Sequence, residues 1–160
     1  MHGQTKTIYA RHMTRPIALF KFLFALLVCS VSSLGVATAG AQSERLDELF
    51  AELQEPDLPN WEAVETQIWE EWSKSGSPAM DLLLERGRKA MEAGDVEAAI
   101  EHFSALTDHA PDFAEGWNAR ATAFYRAEEL GLSMADIERT LALNPRHFGA
   151  LTGLAAILEQ

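Results

Sequence analysis

Cysteine is almost absent. Cys29 is the only one in 160 residues, and it lies in an apolar stretch near the N-terminus. If that stretch is removed, the remaining domain has no thiol nucleophile, disulfide or cysteine metal ligand, which suits an oxidising compartment. Positive charge is also scarce. Lys and Arg total 13 against 24 Asp and Glu, a formal net charge of −11. Lys6, Arg11, Arg15 and Lys21 lie in residues 1–41, which hold no acidic residue. Residues 42–160 are therefore net −15. A domain of this charge repels phosphate, which argues against nucleic acid as a ligand. No segment alternates apolar and polar residues as a strand would. There is no G-x-S-x-G, no phosphate-cradling glycine loop and no H-E-x-x-H, so no enzyme class is indicated. The reading is non-catalytic, with no cofactor and no metal. His102 and His109 read as surface residues, and the adjacent pairs Glu70-Glu71 and Glu128-Glu129 as a solvated face. What the chain does have is apolar content, 48% of residues with four Trp, enough to exclude disorder.

Residues 1–41 read as an address. A basic, polar start is followed by Phe22-Leu23-Phe24-Ala25-Leu26-Leu27-Val28, with no charge from Phe22 to Val36, and then by Ala37-Thr38-Ala39-Gly40-Ala41. This is the tripartite pattern of a secretory signal peptide, with cleavage sites after Ala39 or Ala41. Met13 is an alternative start. The rival is an uncleaved anchor, since Phe22 to Ser43 is long enough to span a bilayer. In either case the basic flank stays cytoplasmic and the acidic domain lies outside the inner membrane, in the periplasm. The only membrane contact expected is through this segment. Lipidation at Cys29 is disfavoured by bulky Val28 just before it.

The rest reads as all-α. Leu46, Leu49, Phe50 and Leu53 follow helical spacing over 44–54, with Ser43 as cap. Pro56 and Pro59 end that helix. A second helix runs from about Asn60 to Ser73, with Trp61, Val64, Ile68 and Trp72 on one face and Trp69 beside it. Pro78 suits the first turn of the next helix.

From Ala79 an internal repeat is measurable. Pro111 and Pro145 are 34 apart, and so are successive members of three sets: Leu83, Trp117, Leu151; Gly87, Ala121, Ala155; Ala90, Phe124, Leu158. The first unit reads Leu83-x2-Arg86-Gly87-x2-Ala90, then Ala99-x3-Phe103, then Pro111. The second reads Trp117-x2-Arg120-Ala121-x2-Phe124, then Ser133-x3-Ile137, then Pro145. This pattern resembles the tetratricopeptide repeat. The resemblance implies antiparallel helix pairs stacked as a short right-handed solenoid, with units at 80–113, 114–147 and a partial 148–160 inside a repeat region 78–160. Small residues at Gly87, Ala121 and Ala155 allow close helix approach, met by Ala99 and Ser133. Phe103, Ile137, Trp117 and Phe124 fill the space between. Gly94-Asp95 makes the turn in the first unit, with Asp95 as cap. In the second, Glu128-Glu129 replaces that pair and Gly131 is expected to make the break. Asp112-Phe113-Ala114-Glu115 reads as a capping box. Arg86 and Arg120 stand where the family usually has Leu.

Residues 42–77 read as a helical pair that forms a capping pseudo-repeat over the end of the stack, with Trp69 lying one period before Phe103 and Leu49 one period before Leu83. At the other end, Leu151, Leu154, Ala155, Ile157 and Leu158 cannot all be buried against one neighbour. Truncation, self-association through 148–160 or a partner continuing the stack would each explain them. By resemblance, the first helix of each unit lines a concave groove. This places Asp81, Leu84, Arg88, Met91, Glu115, Asn118, Thr122, Tyr125 and Arg126 inward. Arg88, Asn118 and Arg126 could hold a peptide backbone or carboxylate, while Met91, Thr122 and Tyr125 complete the surface. Alternatively, Arg88 and Arg126 pair with Glu85, Glu92 or Glu129. The implied function is an exported scaffold that binds a protein or peptide partner. The alternative is an assembly subunit that uses its apolar C-terminal helix.

Overall fold

The computed structural model describes residues 42–159. The expected signal or anchor segment lies outside the described residues. The described chain is helical throughout: α1 (42–53), α2 (Trp61–Trp72), α3 (Pro78–Glu92), α4 (Val96–His109), α5 (Ala114–Arg126), α6 (Leu130–Leu143) and α7 (Phe148–Leu158). Helix α1 already includes Ser43, so Ser43 is not its cap. Pro78 opens α3, where its missing N–H costs nothing. No described helix is long and apolar enough to cross a membrane.

Helix α3 packs along α4 and α5 along α6. Helix α4 then packs on α5, and α6 on α7. Helix α3 also approaches α5, and α5 approaches α7. Helices α3, α5 and α7 thus form an inner layer, with α4 and α6 outside it. The result is an all-α, tetratricopeptide-like solenoid, and the repeat period is the reason. At each interval the small residue of the inner helix meets its outer partner. Gly87 faces Phe103, and Ala121 packs with Ile137. The first unit's core holds Leu84, Ala99, Phe103 and Leu106, joined by Ala119 and Ala123 of α5. Leu83, Ala90 and Met91 are half-buried against it. In the second unit Ser133 sits where Ala99 sits in the first, and its Oγ donates to the Ala121 carbonyl at 2.8 Å. A polar residue is tolerated there because it is hydrogen-bonded.

The two intra-unit turns share a register. Gly94 takes φ +77° and Asp95 accepts the Ala98 N–H at 3.1 Å. Glu128, one period after Gly94, takes φ +62°, and α6 begins at Leu130. The break therefore does not fall at Gly131, which lies inside α6. Packing of α6 fixes where the helix must start, and this outweighs a left-handed glutamate costing about 1–2 kcal/mol. The capping box at 112–115 also does not form. Phe113 is the N-cap of α5 with no side-chain bond, because Glu115 is bound elsewhere.

Helices α1 and α2 form a hairpin with a core of its own: Leu49, Val64, Ile68 and Trp72. Trp61 stays exposed. The sequence reading sets this pair over the end of the stack. Its contacts lie elsewhere: α2 does not run along α3 as α4 runs along α5. Instead Trp69 and Trp72 meet His147 and Phe148 at the start of α7. The pair also meets α3 at its end, where Ser73 Oγ accepts from Arg88. The aromatic face of α2 finds aromatic partners at α7 that the flank of α3 does not offer.

Candidate functional site

Helix α5 places Asn118, Thr122 and Tyr125 on one face at i, i+4 and i+7. Across from them α7 presents Gly149, Gly153 and Ala156. These residues surround an opening of about 120 Å³ with Ala121, Ser133 and Ile137 at its base. Small-molecule sites usually measure roughly 300–1,000 Å³, so the space suits one aliphatic side chain rather than a cofactor. The Thr122 hydroxyl donates to the Asn118 carbonyl at 3.0 Å, which leaves its methyl for packing.

Beside this opening lies a buried polar node. Glu115 is 4% exposed. Its Oε1 accepts from Arg88 Nη2 at 2.6 Å. Its Oε2 accepts from Asn118 Nδ2 at 3.0 Å and lies 3.0 Å from His147 Nε2. His147 is fully buried, and its Nδ1 accepts the Ala150 N–H at 3.2 Å, capping α7. With Nδ1 acting as acceptor, Nε2 carries the hydrogen and donates to Glu115. The imidazole lies flat on Trp72, with centroids 4.2 Å apart and planes at 15°. Arg88 donates from both Nη atoms to Ser73 Oγ at 3.0 Å. At the rim, Arg146 pairs with Asp47 at 2.8 Å and sits 4.5 Å over the Phe50 ring.

The structure brings together three of the six expected groove residues: Asn118, Thr122 and Tyr125. Arg88 is committed to Glu115 and Ser73, and pairs with none of the three glutamates considered for it. Met91 packs against the first unit's core. Arg126 is exposed at the end of α5, outside the opening. Of the repeat-packing residues, Gly87, Ala99, Phe103, Ala121 and Ile137 are buried. Leu83, Ala90, Trp117 and Phe124 are half-buried, and Pro111, Pro145, Leu151, Ala155 and Leu158 are exposed. Sequence reasoning missed His147 and Ser73; it named Glu115 both as part of a cap and among the inward residues, without its partners. Glu115 and His147 are far apart in the chain, and only the fold joins them.

The departure at Arg120 has an account. Its Nε and Nη2 bind both oxygens of Asp136 at 2.7 and 2.9 Å. The guanidinium also lies 4.8 Å from the Trp117 ring. The bonds to Asp136 outweigh burial and raise the arginine's pKa above its usual value. An unpaired charge here would be costly; the Asp136 carboxylate and the Trp117 and Phe124 ring faces receive it, the latter at 5.6 Å.

Helix pairs in a regular register, with small residues at each crossing, define a class of helical-repeat proteins. No family model matches the chain, and no solved structure matches it. A curated "TPR repeat-containing protein" from Rhizobium etli is 40% identical over 122 residues, which is 76% of this chain. The chain spans 60% of that relative's length. Together with the fold, this likeness makes the chain a tetratricopeptide-repeat protein.

Proposed function

We propose that the chain is a non-catalytic scaffold that binds a protein or peptide partner on its inner layer, at the opening between α5 and α7. The supporting observation is the opening itself, with Thr122 and Tyr125 on one wall and only small residues on the other. An extended peptide can lay one apolar side chain there. The tripartite N-terminal pattern supports export, with this domain outside the inner membrane. A crosslinker that passes the outer but not the inner membrane, applied to intact cells, tests both points. The wild type should capture a partner, and Ala156→Leu, which fills the opening, should lose at least about 90% of it at unchanged melting temperature. Full capture by Ala156→Leu would move the site elsewhere. Reaction only after lysis would overturn export.

A second reading is an assembly subunit. Helix α7 exposes Leu151 (46%) and Leu158 (71%) along with Ala155, a face of the kind that mediates association. On this reading the wild type sediments with a concentration-dependent mass, and Leu151→Glu abolishes the dependence. A wild type that stays monomeric up to about 100 μM would remove this reading.

A further inference from the structure

The node at Glu115 is more than a support for α7, because its outer surface already holds a ligand: the end of α2. We infer that the inner layer between Arg88 and Gly149 is a docking recess for a helix end that offers an aromatic side chain followed by a hydrogen-bond acceptor. The chain fills it with its own Trp72 and Ser73, and the α1–α2 hairpin leaves it as a unit. The consequence for partner binding rests on the reading of the opening given above. The docking itself does not.

The resident residues show what chemistry the recess takes. An indole stacks plane to plane on His147 at 4.2 Å, and the next residue's hydroxyl accepts both Nη groups of Arg88 at 3.0 Å. A second indole, Trp69, lies edge-on to Phe148 at 5.2 Å. It also crosses Gly149 so closely that a Cβ there would come within 2.5 Å of its ring. Only glycine at 149 admits Trp69.

Three features let the hairpin separate. Leu49, Val64 and Ile68 are fully buried and belong to the hairpin, with Leu46, Phe50, Leu53 and Leu58 packed on them; from the solenoid Phe148 joins this cluster. Every partner of Glu115 belongs to the solenoid: Arg88 on α3, Asn118 on α5 and His147 before α7. Departure strands no buried charge, and Arg88 exchanges one serine hydroxyl for water. The link to α3 is short and has an open pivot. Gly76 takes φ +81° with nothing near its missing Cβ. Just before it, Ser75 is tied by its N–H and hydroxyl to Asp81 at 2.8 and 2.6 Å. These two bonds span Gly76, so they exchange to water before the hairpin turns there.

The recess and the opening share walls. Gly149 lines the opening and touches Trp69. Asn118 lines the opening and binds Glu115. A partner that fills the opening and continues toward α3 meets the hairpin. If it carries an aromatic residue and a carboxylate, it competes directly, since a carboxylate on Arg88 is a stronger acceptor than a hydroxyl.

Hydrogen exchange on the full chain tests the release. Amides of α2 should exchange through an opening that α4 and α5 do not share. Arg146→Glu sets like charges against Asp47 at the rim, outside the opening and the core. It should speed α2 exchange about threefold or more, and the charge swap Asp47→Arg/Arg146→Glu should reverse this. If α2 exchanges only with global unfolding in both proteins, the inference falls. A fluorescein-labelled peptide of residues 61–77 tests the recess chemistry. It should bind Arg146→Glu at least about tenfold more tightly than the same peptide carrying Trp72→Ala. Equal binding would overturn the assigned chemistry. Neither result depends on whether Ala156→Leu loses a partner, so the two readings fail separately.

Discussion

Gly87→Ala is expected to destabilise the protein by about 2 kcal/mol, although alanine is the better helix former. The substitution gains roughly 0.5–1 kcal/mol of helix propensity. Against this, a Cβ at position 87 would lie 2.2 Å from Phe103 Cε1 and 2.6 Å from two further ring atoms. Phe103 is 1% exposed, so the ring has nowhere to turn, and overpacking falls at the top of its usual range of about 1–3 kcal/mol; the helix gain offsets part of it and about 2 kcal/mol remains. Gly131→Ala is the control. It lies inside α6 with nothing within 4 Å of its missing Cβ, so it should stabilise by up to about 1 kcal/mol. Urea midpoints decide the matter. Phe103→Leu should recover part of the Gly87→Ala loss, with a coupling of roughly 0.5–3 kcal/mol. A Gly87→Ala protein as stable as wild type would refute the close helix crossing.

Glu115→Ala should cost about 2–4 kcal/mol. It leaves the Nε2–H of fully buried His147 without an acceptor and removes the partner of Arg88. An unsatisfied buried donor costs about 1–3 kcal/mol. Breaking a fully buried ion pair costs about 3–5 kcal/mol, but the Arg88 side chain is 41% exposed and can turn to water, so its loss adds only about 1 kcal/mol to that of the donor. Glu115→Gln keeps one acceptor oxygen and should lose about half as much. The difference should show in denaturant midpoints at constant m-value. If both variants lie within about 0.5 kcal/mol of wild type, the node contributes no stability.

The repeat was legible because its signal is local and recurs. Leu83, Gly87 and Ala90 set one pattern, and the same pattern one period later makes each element evidence for the others. Helix spacing, Pro78 at a first turn and Asp95 at a cap are likewise short-range facts. The site was legible only in part. Asn118, Thr122 and Tyr125 share a helix face, so spacing alone could group them. The partners of Arg88 were not legible, because Ser73 and Glu115 lie on other elements, well beyond the reach of one helix face.

Where local rules and packing disagreed, packing won. Glutamate at position 128 takes a left-handed turn that the glycine at 131 would have accepted more easily, because α6 has to begin where Ser133 meets Ala121. Glu115 leaves its own helix end uncapped, because charged and polar donors from other elements hold it more strongly than one backbone N–H. The sequence by itself determined the class of this protein: helical periodicity and the repeat interval are properties of the chain that survive without coordinates. Only the tertiary structure decided where α1–α2 lies. An amphipathic hairpin must bury its apolar face, but hydrophobic burial has no direction. The stack end and the inner layer could both receive it. The recess at His147, shaped by Gly149 and lined by Arg88, made the choice through aromatic stacking and hydrogen bonds that no spacing rule encodes.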